Sequence, residues 1–230
     1  MYLPKRQRGF TLIETAIVLV IVGLLVAGTV VGAELLGSAR SRALIAEIDG
    51  FKGAYFGFLD RYGSSPGDYA NAIRNVPHTT VDGNGNGLIE SMASGAAIDE
   101  HIAVWEHLSG AGFISSGRYR YSAGVETMTS APKVTFGAYP RIIAGQQFAG
   151  AASIRNNINT GNLGPANVLA EIDRKMDDGS AITGVFRFSA VDTVGAAPVE
   201  ALCVRSSNPE PGGWLIGSVI ETNCGATWLL

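Results

Sequence analysis

Nine consecutive residues, Asp82-Gly83-Asn84-Gly85-Asn86-Gly87-Leu88-Ile89-Glu90, place oxygen-bearing side chains at the first, third and fifth positions, glycine at the sixth and an apolar residue at the eighth. That is the opening of a loop that wraps a hard cation such as calcium, with Asp82, Asn84 and Asn86 supplying side-chain oxygens and Leu88 its carbonyl. A bidentate glutamate belongs at the twelfth position, where the chain has Ala93, so Glu90, Asp99 or Glu100 must close the shell, with Asp68 further off. With Glu90 the set reaches five ligands, and calcium takes six to eight, so waters or another acid must complete it. The same alternation also suits a metal-free turn, because Asn and Gly populate turns readily. Both readings stay open at this stage.

Glu14 is the second residue with chemistry to explain. The nineteen residues that follow it, 15 to 33, carry no charge. As a helix they cover about 28 Å, close to the hydrocarbon thickness of a bilayer. Lys5, Arg6 and Arg8 precede the run, which by the positive-inside rule keeps the N-terminus in the cytoplasm and sends the chain beyond Glu34 outside. A cleaved secretory signal would have a shorter apolar region, and a plain anchor gives no reason for a carboxylate at the edge of the span, where an ionised group needs a partner.

Elsewhere the sequence offers little catalytic chemistry. His101, Glu106 and His107 crowd one helix, but the histidines are six apart and form no zinc-binding His-Glu-x-x-His. Neither a Gly-x-Ser-x-Gly elbow nor a phosphate-binding Gly-x4-Gly-Lys-Ser/Thr loop occurs. Asp173, Asp177 and Asp178 beside Arg174 and Lys175 read as a charged helix end. Of 230 residues 47% are apolar and 16% charged, with a formal charge of −3, so disorder is excluded and no basic field exists to hold nucleic acid. We therefore expect a protein that is not an enzyme.

The segment Lys5-Arg6-Gln7-Arg8-Gly9-Phe10-Thr11-Leu12-Ile13-Glu14 resembles the leader and mature start of type IV pilins and the related pseudopilins. The resemblance implies cleavage by a prepilin peptidase after Gly9, N-methylation of Phe10, and a filament in which the Glu14 carboxylate neutralises the Phe10 ammonium of a neighbouring subunit. Without Lys5, Arg6 and Arg8, 14 basic side chains would face 20 acidic ones. It further implies identical subunits as partners, an assembly machinery, residence in the inner membrane before assembly, and an extracellular filament or a periplasmic pseudopilus of a secretion or DNA-uptake system. The chain departs from many pilins in having Val31 where they carry a proline, with Gly23, Gly28 and Gly32 nearby. The segment with Pro66-Gly67-Asp68, the Asp82 loop and Trp105-Glu106-His107-Leu108 is also similar to a group of prepilin-like proteins.

These residues need elements to position them. Beyond the apolar run, Leu44, Ile48, Phe51, Tyr55, Leu59 and Tyr62 recur at steps of three or four, an amphipathic face that continues the helix to a stop at Gly63 to Gly67. The expected organisation is a leader at 1–9, one long helix at 10–62 whose first half spans the membrane, and an α+β head at 63–230 with an antiparallel sheet packed on the helix. Short helices are expected near 68–74, 98–110 and 165–179, and strands at 133–139, 184–190, 198–205 and 214–220, with 156–164 a polar loop. Trp214 and Trp228 are expected in the core. Cys203 and Cys224, the only cysteines, lie on the exported side, where a bridge persists, and pilins often carry one near the C-terminus.

Overall fold

The computed structural model describes residues 11–205, 212–217 and 221–230. Gly9 and Phe10, the residues of the expected processing site, lie outside the described residues. The chain divides at Ala39/Arg40 into two compact units.

Helix α1 runs Leu12–Tyr62, 51 residues. Its first turn is closed by Thr11 and Glu14: Thr11 donates its N–H and its hydroxyl to Glu14 Oε2, both at 2.8 Å, and the Glu14 N–H returns to Thr11 Oγ1 at 3.3 Å. This is a capping box, reciprocal satisfaction of donors that a helix start otherwise leaves open. In the first unit, 18 residues, Leu12–Thr29, have a mean hydropathy of 2.4 and bury none of it within the chain. The hydroxyls of Thr15 and Thr29 donate to Leu12 O and Val26 O of their own helix, so neither needs water. A Cβ added at Gly23, Gly28 or Gly32 meets nothing within 4 Å, so nothing among the described residues demands glycine there. At the other end Gly63, with φ +68°, returns its N–H to Leu59 O and ends the helix with a left-handed cap.

The second unit is built on the amphipathic turns of α1. Leu44 and Ile48 enter one core with Leu169, Ile172, Phe186 and Trp214; Tyr55 and Phe58 enter another with Trp105, Leu108, Ile142 and Ile158. The remaining helices are α2 (Ala72–Asn75), α3 (Glu100–Gly110), α4 (Ala166–Met176) and α5 (Glu200–Cys203). Strands β1 (Arg141–Gly145), β2 (Arg155–Asn159), β3 (Phe186–Ser189) and β4 (Gly225–Leu229) pair antiparallel in the order β1-β2-β4-β3. The register aligns Ile142, Ile158, Trp228 and Phe186 in one row across all four strands. Successive residues of a strand face opposite sides, so the adjacent row, Arg141, Asn159, Thr227 and Arg187, lies on the other face. One face of the sheet is thus apolar and the other polar.

The α+β architecture with an antiparallel sheet is the one expected, but the strands come from partly different segments. β3 falls inside the expected 184–190. Residues 133–139 form turns, where Gly137 returns its N–H to Val134 O, and 198–205 contain the single-turn α5. Of the expected strand at 214–220, residues 218–220 lie outside the described residues; Trp214 forms an isolated bridge with Val204, and its side chain is buried as expected. β2, read as a polar loop, is a strand whose Asn157 and Asn159 are buried on the polar face.

Cys203 and Cys224 form a disulfide across a separation of 21 residues, joining the end of α5 to the residue before β4. Closing a loop of that size restricts the unfolded chain enough to stabilise the fold by about 3 kcal/mol.

Candidate functional site

The Asp82–Glu90 loop is held by carboxylates from outside it. Asp68, 1% exposed, follows the Pro66-Gly67 turn. Its Oδ1 accepts the N–H groups of Gly85 (2.7 Å) and Asn86 (3.0 Å), and its Oδ2 that of Gly87 (2.9 Å). Three successive N–H groups around one anion form a nest, which requires the positive φ of Gly85 (+76°) and Gly87 (+91°). Gly83 is needed for a different reason: a Cβ there would lie 2.2 Å from the carbonyl carbon of Asp68. Glu100, buried at the start of α3, accepts the N–H groups of Asn84 (2.8 Å) and Glu90 (2.9 Å). Glu100 is one of the three acids expected to close the shell, and Asp68 the one expected further off; both hold the loop by its backbone. The Pro-Gly-Asp turn was the available signal for Asp68.

Of the expected ligands, the structure brings together Asn84, Asn86 and Glu90: both amide nitrogens donate to Glu90 Oε2, at 3.2 and 2.6 Å. Asp82 is turned to another task, its Oδ1 accepting the Ile73 N–H of α2 at 2.8 Å. Leu88 donates its N–H to Asn86 Oδ1, and Asn86 donates its own to Asn84 Oδ1. Burial pushes the carboxyls of Asp68 and Glu100 up, the backbone donors pull them back, and the Glu90 charge raises both further. Three carboxylates therefore repel one another around this loop.

Helix α3 clamps the chain leading into the loop. His107, wholly buried, accepts the Gly67 N–H at Nδ1 (2.9 Å), which leaves its proton on Nε2, 3.1 Å from Val81 O. Burial lowers its pKa to about 4. Glu106 accepts the N–H and hydroxyl of Thr80. His101 lies 3.5 Å from Glu126, whose carboxylate is held by Arg141 through Nε and Nη2. His101, Glu106 and His107 are thus three buried side chains of α3, of which Glu106 and His107 clamp neighbouring backbone and His101 packs beside the Glu126–Arg141 pair.

The aspartates after α4 also act on the backbone. Asp173 accepts from Trp214 Nε1 (2.7 Å) and Gly179 N–H (3.0 Å), Asp177 from the N–H groups of Val185 and Phe186, and Asp178 from Ser180 N–H and the Thr183 hydroxyl. Three of their oxygens lie within 4.8 Å of one another. Burial raises the Asp173 pKa to about 6, the bond from Trp214 opposing it.

At the other end of the chain the chemistry rests on Glu14 and the apolar helix that follows it. Residues 4–30 match the family described as the prokaryotic N-terminal methylation motif. The chain carries a prepilin-type N-terminus. This prepilin motif includes Gly9, Phe10 and Glu14, and with the apolar Leu12–Thr29 span it fits a membrane-anchored precursor and points to a structural protein. No curated protein and no solved structure matches the chain.

Proposed function

We propose that this chain is the structural subunit of a type IV pilus-like extracellular filament, cut by prepilin peptidase after Gly9, methylated on Phe10 and polymerised through its N-terminal helix. The observation that carries the reading is the methylation motif running into an 18-residue apolar segment that the chain itself leaves wholly uncovered. In the precursor lipid covers it. In the filament the same segments of identical subunits cover one another, and Gly23, Gly28 and Gly32 give room for close approach. A pseudopilin of a secretion or DNA-uptake system would use the same motif and helix. Electron microscopy of material sheared from cells, with mass spectrometry of its main band, tests the reading. Abundant filaments whose subunit begins at methylated Phe10 are expected; subunits that begin at Met1 would overturn it.

A calcium ion at the Asp82–Glu90 loop is a second, independent proposal, supported by the mutual repulsion of Asp68, Glu90 and Glu100. Glu90 with Asn84 and Asn86, their amide oxygens turned inward, would supply protein ligands, and Asp82 would leave Ile73 to join them. Calcium held by the folded state alone stabilises it by about 2.7 kcal/mol at a hundredfold excess over Kd. Millimolar calcium is therefore expected to raise the melting temperature of residues 40–230, and Glu90→Gln to abolish the rise. Identical melting curves in calcium and in chelator would make the loop a metal-free nest around Asp68.

A further inference from the structure

A cleft of about 420 Å³ lies on the polar face of the sheet, over β1 and β2. Its floor follows from the register: Arg141 opposite Asn159 and Ile143 opposite Asn157, with Gly145 at the end of β1. Gln146 and Gln147, Asp192 after β3, and Ser91 and Ser94 around the 3-10 turn at Met92–Ser94 form the rim.

Asn157 and Asn159 are 2% and 1% exposed, and their bonds can be counted. Asn157 Oδ1 accepts from Asn159 Nδ2 (2.6 Å) and the Thr227 hydroxyl (3.0 Å); Asn159 Oδ1 accepts from the Ser189 hydroxyl (2.6 Å). Asn157 Nδ2 spends one hydrogen on Arg155 O. Each amide has two N–H donors, so among the described residues one remains on each. Arg141 uses Nε and Nη2 on Glu126, and among the described residues no acceptor takes Nη1. The floor therefore offers fixed donors from buried groups, with the Arg141 charge already matched by Glu126. Asp192, exposed on the rim, adds an acceptor, and Ile143 and the exposed Ile154 add two small apolar surfaces.

We propose that this cleft binds a saccharide of one or two rings. Vicinal hydroxyls accept from amides and donate to a carboxylate at once, and the C–H face of a ring suits an isolated isoleucine. The volume lies in the range of small-molecule sites. The site belongs to the head alone and does not depend on filament formation.

Saturation-transfer NMR on the full chain in a sugar-free detergent, with N-acetylglucosamine, galactose and galacturonate as probes, tests it. At least one should bind with a Kd on the order of millimolar. Gly145→Phe is the blocking variant: a Cβ there meets only Gln147 N at 4.0 Å, and its direction is into the cleft. It should abolish transfer without changing the melting temperature. Asp192→Ala, on the exposed rim, should weaken binding on the order of tenfold through loss of one charged acceptor. The same sugars as free monomers and at the ends of an immobilised polymer separate a soluble ligand from a surface one. Transfer from none of the three probes, transfer that persists in Gly145→Phe, or triglycine binding in place of every sugar would overturn the proposal.

Discussion

Cells making Glu14→Gln should export and process the chain but assemble few or no filaments. The choice of glutamine matters, because the structure gives Glu14 a task inside the isolated chain that its position in the motif did not suggest. Its carboxylate closes the capping box with Thr11. Even a plain anchor therefore has a use for Glu14, and the residue alone does not separate an anchor from a filament subunit. Glutamine serves at the third helical position of a capping box, so Glu14→Gln preserves the helix start and removes only the charge. If the neighbour's Phe10 ammonium depends on that charge in a dry filament core, leaving it unpaired costs several kcal/mol per subunit contact. Glu14→Ala, which removes cap and charge together, should assemble no better. Normal filament yield from Glu14→Gln, counted by electron microscopy of sheared material, would confine Glu14 to its capping role and end the pairing argument.

Acidification should expose two buried groups acting in opposite directions. The His107 pKa falls from 6.5 to about 4 on folding, so between those values the unfolded chain binds the extra proton. The stability His107 contributes is complete above pH 6.5 and is lost as pH falls through about 4, about 3 kcal/mol in all. The Asp173 pKa rises from 3.8 to about 6, so there the folded chain binds the extra proton. Its contribution is complete below pH 3.8 and is lost as pH rises through about 6, again about 3 kcal/mol. The two nearly cancel in the parent protein, and single variants separate them. In urea titrations of residues 40–230, the unit that encloses both cores, the stability gap between parent and His107→Gln should narrow by about 3 kcal/mol from pH 7 to pH 4. The gap between parent and Asp173→Asn should move by a similar amount the opposite way. Parallel pH profiles for all three would show that neither group changes its proton affinity on folding.

The elements that periodicity announces are the ones the structure contains. Leu44, Ile48 and Tyr55 are buried along α1, α3 ends at Gly110, and α4 begins directly after Pro165. Strand signals failed where burial is polar. Arg155-Asn156-Asn157-Ile158-Asn159 has one apolar residue in five, because its second face is an amide network with Ser189 and Thr227. β4, Gly225-Ala226-Thr227-Trp228-Leu229, passes below the same threshold with small residues at its start. The apolar stretch Val199 to Val204 failed in the other direction: Val204 bridges Trp214 while Glu200 to Cys203 coil into one turn. At the Asp82 loop the spacing of oxygens was visible, but the partners of its backbone were not. Asp68 and Glu100 reach it from 14 residues before and 10 residues after its ends, distances that no local pattern encodes.

The position of β4 sets an order of events in time. β4, fourth of these strands in chain order, lies between β2 and β3, so the sheet stays in two separate pieces until residue 229 is free of the ribosome. The Cys224 thiol, one residue ahead of that strand, likewise meets Cys203 only after the 20 residues between them have been made. A nascent chain therefore keeps its sheet unjoined until β4 has emerged. A truncation after Cys224 would remove the middle of the sheet.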